Sequence, residues 1–182
     1  MHATLLGVLG LALLGALHAQ DSVPVQTDFQ QDKLTGRWYS IGLASNSNWF
    51  KEKKHLMKMC TTVISATADG NLEVTSTYPK LDRCQKFELL FQQSGQAGHY
   101  MGTSQEKRDL HVMETDYSHY AIVHELHQSG QEPSTALQLL TREQDTSPQL
   151  LQKFKELIPT VGLTKDMLAI LPKSGECQEG AG

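Results

Sequence analysis

Four side chains that could do chemistry lie on three short β-like runs of the chain. Cys60 and Thr62 alternate along one run, Ser40 lies on the run before it, and Ser76 lies on the run after it. Alternate residues of a strand point to the same face of a sheet. If these faces line one cavity, a thiol lies beside three hydroxyl groups, and its thiolate form is a candidate nucleophile.

Each of these residues also has a plain structural interpretation. A buried cysteine such as Cys60 often behaves as a small, inert hydrophobe. The hydroxyls of Ser40, Thr62 and Ser76 could simply satisfy backbone groups or water. The histidines show no metal-ligand spacing, so no metal site is predicted.

Eight short runs alternate apolar and polar residues at the spacing of hairpins, which predicts an all-β fold. The runs are 37–44, 59–65, 71–78, 84–91, 99–103, 110–114, 120–126 and 136–141. The expected architecture is an eight-stranded, up-and-down antiparallel barrel. In the first strand, alternation places Trp38, Ser40 and Gly42 on one side.

The sequence changes to a helical period after the last predicted strand. Ser147 is a plausible N-cap, Pro148 suits the first helical position, and apolar residues recur at helical spacing up to Ile158. A single C-terminal helix cannot belong to the barrel wall, so we expect it to pack outside the barrel. The apolar run 167–171 predicts one further strand.

An uncharged apolar run near the N-terminus ends at the small residue Ala19. The run 5–17 is shorter than the roughly 20 residues that span a bilayer. Residues 1–19 are therefore predicted to be a secretory signal peptide, and residues 20–182 a single domain. No later run is long and apolar enough to cross a membrane. We expect secretion through the endoplasmic reticulum and Golgi. The net charge of -4 gives no basic field for nucleic acid.

The three cysteines have unequal surroundings. Cys60 lies within a regular strand pattern, whereas Cys84 opens a run after a turn and Cys177 lies in a polar tail. A secreted chain can form disulfides. A bridge between Cys84 and Cys177 would close a long loop, worth about 4 to 5 kcal/mol in the chain-entropy model. Each of the other two pairings would place Cys60, inside the strand pattern, in a disulfide. We therefore predict the Cys84–Cys177 disulfide and a free thiol at Cys60.

An eight-stranded barrel is just wide enough to hold one small ligand, or its inner side chains can fill it as a core. The polar residues that alternate with apolar ones on the inner faces favour a cavity. Because the rest of such a cavity is apolar, its ligand should be lipophilic.

Three segments resemble the signature segments of the lipocalin family, in order and at suitable spacing. They are Gly36-Arg37-Trp38, Thr115-Asp116-Tyr117, and Arg142. The eight strands, the trailing helix and the disulfide agree with this resemblance. It implies a monomeric barrel for small lipophilic ligands, in which Arg142 stacks on Trp38 at the closed end in a structural role.

Three stretches are similar to those of lipocalins that isomerise prostaglandin H2 to prostaglandin D2. They are 29–33, 42–60 and 114–117. In those enzymes a cysteine at the position of Cys60 is the nucleophile, which most lipocalins that only carry ligands lack. The resemblance implies the same reaction here, beside carriage of retinoids and fatty acids. It implies no bound cofactor, although a free thiol such as glutathione could assist turnover.

The expected roles divide into catalysis and ligand binding. Cys60 would attack the substrate, with hydrogen bonds from Ser40, Thr62 and Ser76. Positive charge from nearby lysines would help to lower the pKa of the thiol; the candidates are Lys53, Lys54 and Lys58. The expected ligand-binding residues are Trp38, Trp49, Lys54, Met59 and Tyr78.

Two other functions compete with catalysis. A non-catalytic extracellular carrier of retinoids, fatty acids or related lipids needs the cavity but not the thiol. A scaffold that binds other proteins through its open-end loops has only the charged loop 105–109 in its favour.

Overall fold

The barrel predicted from the alternating runs is present. A computed structural model describes residues 23–80, 83–103, 107–129, 132–174 and 177, so the predicted signal peptide lies outside the described residues. The barrel strands are β1 (Gly36–Ser45), β2 (Thr61–Ala66), β3 (Leu72–Lys80), β4 (Arg83–Gln93), β5 (His99–Gly102), β6 (Lys107–Thr115), β7 (Tyr120–Ser129) and β8 (Glu132–Thr141).

All strand pairs are antiparallel, and each strand from β2 to β7 pairs with the next along the chain. The first strand closes the barrel because one part of it pairs with β8 and another with β2. Beyond Ile41 the free edge of β1 is occupied by β9 (Leu168–Ile170), close to the predicted run 167–171. The eight-stranded up-and-down barrel is therefore confirmed.

The described α-helices are short, and one of them was predicted. They are α1 (Gln31–Leu34), α2 (Asn48–Lys53) and α3 (Pro148–Leu157). The Ser147 hydroxyl accepts a hydrogen bond from the Leu150 amide and caps α3 as expected. In the same way the Ser47 hydroxyl caps α2, which lies between the first two predicted strands. No helix in the described part of the chain is long and apolar enough to span a membrane.

Buried apolar side chains form two clusters, one inside the barrel and one between the barrel and α3. The inner cluster consists of Leu34, Trp38, Ile64, Leu72, Phe91, Tyr100, Val112, Ala121, Val123 and Leu140. The outer cluster includes Ile41, Ala44, Met59, Met113, Ile122, Leu137, Leu139, Phe154 and Ile158. The helix therefore packs outside the barrel, as predicted, and the closed end of the barrel is filled.

A register shift in β1 changes which residues face inward. Ser40 pairs with Leu140 and Gly42 with the next residue, Leu139, so the alternation breaks at Ile41. Gly42 consequently faces α3, and a Cβ at this position would lie 3.0 Å from the ring of Phe154. The prediction that Gly42 shares a face with Ser40 was wrong because of this bulge.

Arg142 closes one end of the barrel. Its guanidinium carbon lies 3.7 Å from the centre of the Trp38 ring, which confirms the predicted stacking. The guanidinium also donates to four backbone carbonyls, those of Lys33, Thr35, Arg37 and Tyr117. Gly36 is required beside it, because φ is +112° and a Cβ would lie 2.9 Å from Arg142 Nη1.

The disulfide fastens the C-terminal segment to the barrel. Cys84 and Cys177 are bonded with their Cα atoms 5.6 Å apart, and Cys60 is free, as predicted. The Thr61 hydroxyl donates to the Cys177 carbonyl, 3.2 Å away. Cys177 therefore lies against the outer face of β2.

Three histidines meet on the outer face of β5, β6 and β7, although the sequence showed no ligand spacing among them. His99 pairs with His111, and His111 with His124. The ring centres are 4.1 Å and 5.8 Å apart, and one ring nitrogen of each histidine is buried without a hydrogen-bond partner among the described residues. The described residues contain no group of three or more side chains arranged to hold a metal ion.

This histidine cluster is unfavourable when charged. Burial, and then the charges of His99 and His124, lower the pKa of His111 to about 4, while Asp109 opposes the change. Burial also lowers the pKa of His124. Below the unfolded-state pKa of about 6.5 the unfolded chain binds protons that the folded chain does not. The free energy of unfolding is therefore not reduced by His111 above that pH. It decreases as the pH falls from about 6.5 to about 4.

We expect the variant His111→Gln to lose less stability on acidification than the wild type. Because the ring is only half-buried, its contribution between pH 7 and pH 4 should be about 1 to 2 kcal/mol after solvent screening. Urea denaturation at pH 7 and at pH 4 measures the free energy of unfolding of each protein. His55→Gln, at an exposed position, should behave as the wild type. Equal pH dependence in wild type and His111→Gln would contradict this expectation.

Candidate functional site

Cys60 lies next to Ser40 on the inner wall of the barrel. The Ser40 amide donates to the Cys60 carbonyl over 2.9 Å, which extends the pairing of β1 with β2 by one residue. Thr62 lies two residues further along β2, opposite the inward-facing Trp38. Alternation therefore places Cys60, Ser40 and Thr62 on one face, as the sequence predicted.

The hydroxyls beside the thiol have partners of their own. The Ser40 hydroxyl accepts a hydrogen bond from Gln138 Nε2 at 2.7 Å. The hydroxyl oxygens of Thr62 and Ser76 are 3.3 Å apart and share one hydrogen bond. A hydroxyl that accepts one bond keeps its own hydrogen for an acceptor, so Ser40 retains a donor on this wall.

The thiol itself is protonated. Cys60 Sγ donates to the Lys58 carbonyl 3.6 Å away, and burial raises the pKa of Cys60 to about 11. The expectation that lysines and hydroxyls lower this pKa was wrong, because desolvation dominates. The Lys54 ammonium donates instead to the Asp166 carbonyl, and Lys53 is exposed on α2.

A cavity of about 550 Å³ occupies the open end of the barrel. Its lining consists of Leu43, Ser45, Asn46, Ser47, Asn48, Trp49, Phe50, Arg108, Glu125, His127, Pro133, Ser134, Ala136 and Gln138. The volume is within the usual range for sites that hold small molecules. Gln138 lines this cavity and also contacts Ser40, so it connects the cavity with the wall that carries Cys60.

The predicted ligand-binding residues are divided among different places. Trp49 lines the cavity and is 62% exposed, whereas Trp38 is fully buried in the inner cluster. The Tyr78 hydroxyl donates to Gln85 Oε1 across β3 and β4, on the inner face. Met59 and Lys54 do not line the cavity.

Met59 and Lys54 have contacts that the sequence did not indicate. Met59 belongs to the outer cluster beneath α3, because it precedes Cys60 and its side chain takes the opposite face. Its amide donates to the Pro172 carbonyl of the C-terminal segment. The Lys54 side chain bonds the backbone of Asp166, so neither residue is placed to bind a ligand in this cavity.

Several polar residues of the cavity were not predicted. Arg108 and Glu125 form an ion pair within the lining, beside His127 and Gln138. Arg108 also lies over the Phe87 ring, 5.9 Å from its centre. The alternation of β7 could have indicated that Glu125 and His127 share the inner face with Val123.

The architecture and cavity define a barrel that encloses a small-molecule site, and the comparisons identify its family. Residues 35–175 match the model of the lipocalin / cytosolic fatty-acid binding protein family. The chain belongs to the lipocalin family, and the signature segments read from the sequence are confirmed.

The relatives bear two kinds of name. A protein from Rhinella marina called lipocalin is 46% identical over 92% of this chain and 93% of its own. The prostaglandin-H2 D-isomerase from Equus caballus is 38% identical over 98% of this chain and 96% of its own. The enzyme of the same name from Canis lupus familiaris is 39% identical over 96% of this chain and 94% of its own. The solved structure of the siderocalin Ex-FABP, described as functioning through dual ligand specificities, has a TM-score of 0.72 and 29% identity, over 78% of this chain and 95% of that chain.

The raised pKa predicts slow alkylation of Cys60 in the folded protein. With iodoacetamide the rate should rise about tenfold per pH unit between pH 7 and pH 9 without a plateau, because only the thiolate reacts. At pH 7 the folded protein should react about 100-fold more slowly than the urea-unfolded chain, whose thiol has an ordinary pKa. Mass spectrometry follows the modification.

The unfolded chain serves as the control, since its Cys84–Cys177 bridge leaves Cys60 as the reactive cysteine. A rate in the folded protein that levels off below pH 9 would show an activated thiol and contradict the raised pKa.

Proposed function

We propose that this protein is a secreted lipocalin that binds small lipophilic ligands and isomerises prostaglandin H2 to prostaglandin D2 through Cys60. The observation that supports this most directly is a free cysteine on the inner wall, beside Ser40 and Thr62. It occurs in a chain that is 38% to 39% identical to relatives named prostaglandin-H2 D-isomerase. The disulfide agrees with an oxidising, extracellular location.

The proposed reaction is a redox-neutral rearrangement of an endoperoxide. The Cys60 thiolate attacks one peroxide oxygen, an S–O bond forms as the O–O bond breaks, and the released alkoxide takes a proton. A base then removes the hydrogen from the carbon that bears the S–O group. The electron pair forms the carbonyl, the S–O bond breaks, and the thiolate is restored.

The surrounding hydroxyls would stabilise the thiolate of Cys60 by hydrogen bonds more than they stabilise the neutral thiol. Ser40 keeps a donor hydrogen, and Thr62 and Ser76 share a second one nearby. Hydrogen bonds to a charged sulfur in a dry site are stronger than those to a neutral thiol. Since burial raises the pKa of Cys60 to about 11, these donors must act when the thiol ionises with substrate bound. A free thiol such as glutathione would keep Cys60 reduced between turnovers.

A second candidate is a carrier without catalysis. It is favoured by the protonated state of Cys60, and by a cavity whose described lining lies nearer the open end of the barrel than this thiol. The relative that is 46% identical is named simply as a lipocalin. A monomeric barrel with this cavity would carry retinoids or fatty acids whatever the state of Cys60.

The isomerase proposal predicts that Cys60→Ala loses prostaglandin D2 formation by at least about 100-fold, since the nucleophile is removed. The purified protein is assayed with prostaglandin H2, with and without glutathione, and the product is quantified by mass spectrometry. Ser65→Ala, at an exposed hydroxyl of the same strand, should retain wild-type activity. Equal product yield from wild type and Cys60→Ala would refute catalysis by this residue.

The carrier candidate predicts saturable quenching of tryptophan fluorescence by retinol, with Trp49 in the cavity wall as the main reporter. Cys60→Ala should bind retinol as tightly as the wild type, within about twofold, because the thiol makes no contact that binding requires. Trp49→Phe should reduce the quenching amplitude. Absence of saturation in the wild type would exclude retinol as a ligand of this cavity.

A further inference from the structure

Gln138 joins the cavity to the wall that carries the free thiol. Its Nε2 donates to the Ser40 hydroxyl over 2.7 Å, and its side chain is part of the cavity lining. Ser40 in turn lies beside Cys60, because its amide donates to the Cys60 carbonyl over 2.9 Å. Facing residues on paired strands have their Cβ atoms about 4.5 to 5.5 Å apart. Gln138, Ser40 and Cys60 therefore form a polar row across β8, β1 and the start of β2.

The bulge in β1 sets the geometry of the contact between Gln138 and Ser40. On the inner face Ser40 lies opposite Leu140, and Leu43 lies opposite Gln138. The hydrogen bond is therefore diagonal and passes the extra residue of β1. A diagonal neighbour is about 7 to 8 Å away, a distance that long side chains can span. Glutamine has this reach, and we expect asparagine, which is one methylene shorter, to lack it.

The amide of Gln138 determines where the Ser40 hydrogen can point. A hydroxyl group has one hydrogen and two lone pairs, whereas an amide nitrogen can only donate. Ser40 must therefore accept from Gln138, and its own hydrogen points away from that nitrogen. Ser40 is 1% exposed, so bulk water does not reach the hydroxyl and reorient it. The other side chain of the polar row that can receive this hydrogen is Cys60.

The Cys60 thiolate needs such a donor because its surroundings are unfavourable to charge. Burial raises the pKa of Cys60 to about 11. The neutral thiol donates to the Lys58 carbonyl. Once the proton leaves, that carbonyl has no hydrogen to offer the sulfur. A hydroxyl donor on the neighbouring strand then becomes the favourable partner, through a bond to a charged acceptor.

We propose that Gln138 is a positioning residue, which holds the Ser40 hydrogen towards the sulfur of Cys60 and so stabilises the thiolate. Its part in catalysis rests on the proposed isomerase function. A donor that is already oriented needs no reorganisation when charge develops on the sulfur, and such preorganised donors are effective in buried sites. Gln138 does not contact the sulfur in this arrangement, so it acts through Ser40.

Titration of the thiolate tests the proposal without any enzyme activity. The ultraviolet absorbance of the thiolate is followed against pH in the wild type, Gln138→Met, Ser40→Ala and the double variant. The absorbance of the same protein with Cys60→Ala is subtracted each time, which removes the signal of the tyrosines. The difference reports the thiolate fraction of Cys60 directly and does not depend on how a reagent enters the barrel.

The single variants should weaken ionisation to different extents. Ser40→Ala removes the donor, so the thiolate fraction at a given pH below the midpoint should fall about tenfold. Gln138→Met keeps the length of the side chain but leaves the hydroxyl free to rotate, and the fraction should fall about threefold. Gln138→Asn should behave as Gln138→Met. The double variant should equal Ser40→Ala, because Gln138 acts only through that hydroxyl.

Gln92→Met is the matched control, since it makes the same substitution at an exposed glutamine of β4. It should titrate as the wild type. Circular dichroism establishes that each variant is folded, and Gln138→Asn replaces Gln138→Met if the latter does not fold. In the assay of prostaglandin D2 formation, Gln138→Met should lower kcat by the same factor as the thiolate fraction. The variant should have no further effect when Ser40→Ala is present.

Two titration results would overturn the proposal. One is an unchanged thiolate fraction in folded Gln138→Met or Gln138→Asn. The other is a loss from Gln138→Met that persists in full when Ser40→Ala is present, because Gln138 would then act by another route. If the wild type forms prostaglandin D2 and the titrations do not respond, this inference fails and the isomerase function stands. If the titrations respond and no product forms, Gln138 positions Ser40 and the isomerase function fails.

Discussion

The stacking of Arg142 on Trp38 fixes the closed end of the barrel, and the remaining geometry is built from it. One guanidinium, attached just after β8, bonds the carbonyls of Lys33 and Thr35 before β1, of Arg37 in β1, and of Tyr117 in the turn between β6 and β7. Three of these four carbonyls lie outside the barrel strands, so the arginine supplies a hydrogen-bond partner that strand pairing does not. The Trp38 ring lies against the same guanidinium and adds a cation–π contact.

The position of Trp38 in turn sets the register of the catalytic candidates. Trp38 pairs with Thr62, so Ser40 falls beside Cys60 and the inner face receives both. Burial of the Cys60 thiol disfavours its ionisation by about 3 kcal/mol relative to an exposed thiol. The surroundings of this candidate nucleophile therefore keep it in its unreactive form. A bound substrate must shift this balance for catalysis, whereas a carrier needs no such shift.

The strands and helix α3 could be predicted because their signals are local. Alternation marks each strand, and Ser147 with Pro148 marks the start of the helix. Two of the errors concern the face that a residue takes. A bulge at Ile41 turns Gly42 outward, and nothing in the alternating pattern marks this bulge. Met59 could have been placed correctly, because it precedes Cys60 and alternation gives it the opposite face, towards α3.

The contacts of charged side chains could not be predicted because they depend on distant partners. Lys54 was expected to bind the ligand. Its ammonium instead donates a hydrogen bond to the backbone carbonyl of Asp166, which is far along the chain. Arg108 and Glu125 meet because β6 and β7 are neighbours in a particular register, and a one-residue shift of either strand would turn its charged residue outward. The histidine cluster has the same origin, since its members lie on three adjacent strands.

The inner surface is consequently layered from the closed end to the open end. An apolar floor around Trp38 is followed by the polar level of Ser40 and Cys60, and then by the charged level of Arg108 and Glu125. The filled floor leaves the polar level as the deepest position that a ligand entering from the open end could reach. Under the proposed function, the ring of the endoperoxide would have to lie at that level, next to Cys60. The charged level above it would then face the remainder of the same ligand.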